Sequence, residues 1–163
     1  MKKFLEFSMQ NLYQQVILDH SRNPRHFQKR ADAQVMQVCY NPMCGDNIEV
    51  YCDFEKNNEA INKLSFSGSG CAISMASASM MMNILQNQDK VYFDAAFLYL
   101  KNLIEFGDDA EIPKILTDDT KAITGMKAIA GVRQYPMRVK CATCAWHSMK
   151  GACQGGQGPI KTE

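Results

Sequence analysis

The chain has no uninterrupted apolar run near the ~20 residues that a membrane-spanning helix needs, so no such span is expected. It has little charge bias: 18 Lys and Arg against 17 Asp and Glu leave a formal net charge of +1. With no long Lys/Arg run either, there is no bulk electrostatic case for nucleic acid or for an anionic membrane surface. The start, Met1-Lys2-Lys3-Phe4-Leu5-Glu6-Phe7, is basic, but Glu6, Ser8, Gln10 and Asn11 break any apolar h-region. A secretory signal is therefore not expected. No internal repeat and no second domain are evident. His20 and His26 belong to no ligand pair, which favours surface or helix-end roles over metal ligation.

Cysteine is abundant. Seven occur in 163 residues, in an otherwise ordinary composition of 46% hydrophobic and 21% charged residues. That length suits one domain with a real core. An odd cysteine count without a signal peptide argues against a secreted disulfide framework and for a reducing compartment, the cytoplasm. Cysteines kept there serve as metal ligands, reactive thiols or small buried apolar residues.

Taken in order, Met9, Leu12, Tyr13, Val16 and Ile17 recur at helical spacing from Ser8 to His20. Ser8 can cap this helix, and Asn23-Pro24 stops it. Gln34 to Tyr40 is a short first strand. After the Asn41-Pro42 turn, Ile48, Val50, Cys52 and Phe54 alternate with Glu49, Tyr51, Asp53 and Glu55, the period of a half-buried strand with Cys52 in the core. Asn57-Asn58 is a turn, and Ile61 to Phe66 a third strand. Short turns between consecutive strands make an antiparallel meander.

Ala72 to Leu85 is apolar almost all round and predicts a buried helix, with Met80-Met81-Met82 as core packing. Phe93, Phe97, Leu100 and Ile104 mark another helix, ending near Gly107. Thr117 can cap a further one, with Asp118 and Asp119 in its first turn. Gly131 and Pro136 bracket a linker, and a last helix runs from about Val139 to Lys150. The class is α+β: a small antiparallel sheet of about three strands covered by helices on one face, one domain over residues 1–150, then a flexible Gly-rich tail at 151–163.

Cys44, Cys71 and Cys141 each sit at an element boundary beside a chain break, where loop groups can converge. Asp46 stands two residues from Cys44. Cys71 and Cys141 fall at expected helix N-termini, where the dipole favours thiolate, and Arg138 and Lys140 push Cys141 the same way. Three thiolates and a carboxylate would make a tetrahedral site for zinc or a cluster iron, and the hard Asp46 ligand would keep the metal exchangeable. A competing constellation is Cys141-Ala142-Thr143-Cys144, a CxxC spacing with His147 one turn later, fit for dithiol redox chemistry or half a zinc site. It stands in no βαβ unit, and packing inside is the plainer role for Cys144.

Several segments together resemble the IscU/NifU-N/SufU family of iron–sulfur cluster assembly proteins. They are Leu12-Tyr13 through Asp19-His20 with Asn23-Pro24-Arg25, Asn41 to Asp46, Gly68 to Ser74, and Arg138 to Thr143. The resemblance spans about Leu12 to Gly151 and implies an IscU/SufU-like fold, with Cys44, Asp46, Cys71 and Cys141 as metal or cluster ligands. It is strongest for the SufU branch. Lys140 stands where IscU-type members carry a histidine, and the Cys71–Cys141 segment is longer, with an acidic loop from Asp108-Asp109 through Pro113 and an extra helix inside it. Tyr135-Pro136-Met137-Arg138-Val139-Lys140 matches the family's Leu-Pro-Pro-Val-Lys chaperone motif poorly, which argues against an Hsp70-type partner.

Three functions follow from these residues and the resemblance. One is a zinc-dependent sulfur acceptor: a SufS-like cysteine desulfurase hands persulfide sulfur to Cys44, Arg138 either docks the partner or steers the sulfur, or else is a solvated charge, and a downstream scaffold or apo-acceptor takes the sulfur. This would be a sulfurtransferase if the transfer counts as catalysis. The second is a scaffold that builds and passes on a transient [2Fe–2S] cluster or iron on the same ligands. The third is a dithiol redox or zinc-binding module at Cys141 and Cys144.

Overall fold

The structure is a computed structural model that describes residues 1–57, 59–156 and 158–161, with backbone only for residues 2, 4–9, 158, 160 and 161. The first helix, α1, runs Lys2–Arg22. Ser8 thus lies inside the helix and does not begin it, and the side chain of Met9 falls outside the description. Asn23 closes α1 through its backbone N–H to the Asp19 carbonyl. His20 bonds the Ser79 hydroxyl at 2.8 Å, so this helix-end histidine ties α1 to the helix beneath it.

Three strands follow: β1 Val35–Asn41, β2 Asp46–Phe54 and β3 Ile61–Ser69. They form the expected antiparallel meander. The turn at Asn57-Asn58 lies partly outside the described residues. The side-chain period of two puts Cys39, Asn41, Asp46, Ile48, Val50, Cys52, Leu64 and Phe66 on one face, all buried. The opposite face carries Glu49, Tyr51, Asp53, Ser65 and Ser67. It is not simply solvated, because the segment before β1 folds across it. There Arg30 pairs with Asp53, whose other oxygen accepts from the Gln34 amide at 2.8 Å. That cover explains why the last five residues of β2 are all buried.

Beyond the sheet come α2 Ala72–Leu85, α3 Lys90–Phe106, α4 Thr120–Ala130 and α5 Pro136–Cys153. Asp119, not Thr117, caps α4: one oxygen accepts from the Ala122 amide at 3.0 Å while the other takes the Tyr92 hydroxyl at 2.6 Å. A carboxylate that can serve both roles displaces the hydroxyl two residues earlier. The bracket at Gly131 and Pro136 is a 3-10 turn leading straight into α5. Proline suits the first helical position, since the N–H it lacks would be unpaired there anyway.

α5 lies across the buried faces of β1 and β2 and also packs against α2. Trp146 anchors it. The indole is fully buried, stacks with Phe93 and Phe97 at centroid distances of 6.3 and 5.9 Å, and donates to the Ser77 hydroxyl at 3.1 Å. Each aromatic pair is worth about 0.5–1.5 kcal/mol beyond the area it buries. After α5, Gly158–Lys161 pairs parallel with β1 as β4, giving the sheet order β3-β2-β1-β4. The sequence suggests three strands because a four-residue strand in a Gly-rich tail has no periodicity to show. Among the described residues no helix is long and apolar enough to cross a membrane.

Candidate metal centre

The β1–β2 hairpin closes with Asn41 paired to Asp46, leaving Pro42, Met43, Cys44 and Gly45 as its turn. Gly45 has φ +70°, a left-handed conformation that glycine adopts without strain. The result is an exposed Cys44 one step outside a fully buried Asp46. Cys71 sits at the N-cap of α2, as expected, and its sulfur accepts from the Ser74 amide at 3.5 Å.

Cys141 differs from expectation. Because α5 starts at Pro136, Cys141 lies in the second turn, beyond the unpaired amides of the helix start. Burial pushes its thiol pKa well up, and the neighbouring Cys44, Asp46 and Cys71 side chains push the same way. The lowering expected from the dipole, Arg138 and Lys140 is absent. Arg138 instead lays its guanidinium over the Tyr135 ring, 4.7 Å from the centroid, at the exposed start of α5. Burial raises the Tyr13 pKa, Arg138 opposes it, and Tyr135 and Cys71 add to it, so Tyr13 is a near neighbour of all three.

One donor atom each from Cys44, Asp46 and Cys141 lies within 4.8 Å of the others. A tetrahedral zinc with Zn–S near 2.3 Å separates its sulfurs by about 3.8 Å, so the spacing suits a single ion. Cys71 is not in this trio, but it adjoins Cys141 and its backbone amide donates to Asp46 Oδ1 at 2.9 Å. Two soft sulfurs and a carboxylate with a third sulfur beside them match zinc or iron–sulfur chemistry better than calcium or magnesium.

Asp46 is held by three donors. Oδ1 takes the Cys71 amide and the Ser74 hydroxyl at 3.0 Å, and Oδ2 takes Asn41 Nδ2 at 2.9 Å. The same Asn41 nitrogen donates to Cys141 Sγ at 3.4 Å. Sequence reasoning misses Asn41 and Ser74. The Asn-Pro signal shows only a turn, and a serine on an apolar helix carries no sign of its partner.

The remaining cysteines sort clearly. Cys144 does not pair with Cys141. It forms a disulfide with Cys39 of β1, and Cys141 keeps a free thiol, so the CxxC spacing marks no dithiol pair. His147 meets the edge of Phe97 at 5.2 Å, and burial and then Lys101 lower its pKa, the behaviour of a packed imidazole. Cys52 is buried with its pKa raised, and burial pushes the half-buried Cys153 up to about 11, so neither thiol is favoured as thiolate.

The family described as "NifU-like N terminal domain" matches residues 12–142. The zinc-dependent sulfurtransferase SufU of Bacillus subtilis is 33% identical over 143 residues, covering 88% of this chain and 90% of that one. The iron–sulfur cluster assembly scaffold protein IscU of Streptococcus pyogenes is 32% identical over 88% of this chain and 84% of its own. A crystal structure from Fervidobacterium islandicum, described as a proposed iron–sulfur cluster assembly scaffold protein for the SUF system, superposes with a TM-score of 0.69 at 25% identity. That match covers 83% of this chain and 91% of the other. The family match and the similarity along most of both chains agree with the fold and the convergent thiols: this chain belongs to the NifU-like N-terminal domain family.

Proposed function

We propose that this protein accepts sulfur from a cysteine desulfurase at Cys44 and serves iron–sulfur cluster assembly, with Cys44, Asp46, Cys71 and Cys141 as a zinc site. The observation that carries it is the difference within the trio: Cys44 is exposed while Asp46 and Cys141 are buried. Bound zinc would keep the thiols deprotonated and shielded. Asp46, Asn41 and Ser74 hold the buried half of the site fixed. The Cys44 thiolate then attacks the terminal sulfur of the desulfurase persulfide, and the desulfurase cysteine leaves as thiolate. Arg138, exposed at the rim, steers the incoming anion. A downstream scaffold or apo-acceptor takes the sulfur, and the reaction belongs in the cytoplasm, where thiols stay reduced.

The test is to purify the protein anaerobically, assay metal and acid-labile sulfide, and measure stimulation of a cysteine desulfurase. Tight zinc, little sulfide and strong stimulation are expected, with Cys44→Ser inactive. Arg138→Ala should raise the concentration needed for half-maximal stimulation at unchanged zinc content. An intact [2Fe–2S] cluster passed to an apo-acceptor without any stimulation would overturn this in favour of the scaffold reading. That second reading is favoured by the relative named as an IscU scaffold and uses the same donors.

A further inference from the structure

Sulfur accepted as a persulfide is at the oxidation level of elemental sulfur, and cluster sulfide lies two electrons lower. The cysteines arranged behind Cys44 can supply that difference. Cys44 at the surface shares the trio with buried Cys141. Cys141 precedes Cys144 by three residues on α5, a spacing that sets Cβ atoms about 5–6 Å apart on one helix face. Both face β1: Cys141 meets Asn41, and Cys144 is bonded to Cys39, the next inward-facing residue of that strand. Cys39 and Cys144 are fully buried, with a Cα–Cα separation of 5.7 Å. A disulfide in a reducing compartment is usually transient and catalytic.

We propose that Cys39 and Cys144 form a two-electron couple that reduces sulfur carried by the site to sulfide, the structure holding its oxidised form. This rests on the sulfur-acceptor reading. The terminal persulfide sulfur moves from Cys44 to Cys141 and then to Cys144. At each step a thiolate attacks that sulfur and the donor cysteine leaves as thiolate, with no net redox change. The Cys39 thiolate then attacks Cys144 Sγ. The Cys39–Cys144 bond forms, the bond to the terminal sulfur breaks, and the terminal sulfur leaves with the electron pair. The proton given up by the Cys39 thiol ends on this leaving sulfide. Two thiols are oxidised to one disulfide, and one sulfane sulfur is reduced to sulfide. An external dithiol then resets the couple by thiol–disulfide exchange and departs as its own disulfide.

The experiment uses the full chain, reduced with a phosphine, desalted anaerobically, loaded with inorganic polysulfide and desalted again. With no reductant added, wild type should release about one sulfide per chain in a single burst, by the two-electron balance of one dithiol. Its denatured thiol count should fall from the seven of the sequence to the five left free beside the bond. Peptide mapping should find the new bond at Cys39–Cys144. Cys39→Ala and Cys144→Ala should still gain sulfur on Cys44, seen by mass, but release at least tenfold less sulfide. Cys153→Ala should behave as wild type. Equal release from all variants, or a wild type that keeps its sulfur as a persulfide with the other six of its seven cysteines still thiols, would overturn the proposal. Should the alanine variants not fold, the match between sulfide released and thiols lost in wild type decides alone. Failure of any form to take sulfur on Cys44 would instead count against the acceptor reading.

Discussion

Asn41 joins two site residues that lie far apart in the chain, because one amide nitrogen serves both the Asp46 carboxylate and the Cys141 sulfur. Its own oxygen accepts from the Met43 amide at 3.3 Å, which fixes the side chain over the turn. Groups that orient metal ligands from behind typically change affinity by 10- to 100-fold when removed. At the proposed zinc site, Asn41→Ala should therefore weaken metal binding by roughly that factor, read by competition with a chromophoric chelator. The d–d bands of the cobalt-substituted protein should shift while the far-UV circular dichroism stays put. Unchanged cobalt bands would mean that Asn41 serves the turn alone. Cys44, Gly45 and Asp46 are readable in the sequence because they are adjacent and the glycine explains their geometry. The role of Asn41 is not, since its two partners are set by tertiary packing.

Among the elements, the segment between α1 and β1 is the least evident from sequence and among the most consequential. It has no hydrophobic period, yet Arg30 pins it to β2 through Asp53, with Asp32 3.5 Å away on the outer side. Burial pushes the Asp53 carboxyl up, but the Gln34 amide and the Arg30 guanidinium together outweigh it and hold the pKa below the usual carboxylate value. A carboxyl with a depressed folded pKa adds stability above its unfolded value, near pH ~4, and loses it as pH falls through the folded value. Asp53→Asn should thus cost about 3 kcal/mol at neutral pH, because a mostly buried guanidinium loses its nearer, buried charge partner and keeps only the exposed Asp32. The gap to wild type should narrow as pH falls below about 4 and close as pH passes the lowered folded value. Urea denaturation from neutral to acid pH checks this, and a constant gap would remove the ion pair as its cause. The same limit explains α5. Pro136 reads as a break because its local rule has two outcomes, stop before or start after, and only the packing of α5 on the sheet selects the second. The inward face of β2 is legible from Ile48 to Phe54, since its alternation is local, but the burial of Tyr51 and Asp53 is not, because the covering segment supplies it.

At the scale of the molecule, α5 is the element on which most of the chemistry converges. It carries Cys141 toward the hairpin, Cys144 to β1 and Trp146 to the α3 aromatics. The α+β class follows from periodicity alone, but the sheet order requires the short β4, whose backbone pairs with Gln37 to Tyr40 of β1. That strand has a consequence for how molecules meet one another. A strand without a neighbour offers a row of unpaired amides and carbonyls, a template on which a second chain can add. β4 occupies that row on β1, beside the exposed Met36 and Tyr40. Deleting residues 157–163 should uncover it, and sedimentation should show concentration-dependent self-association beyond that of the full chain. Equal behaviour of the two forms would mean that β4 leaves no sticky edge behind. On this view β4 acts as a chaperone built into the fold, shielding the β1 edge from the next copy.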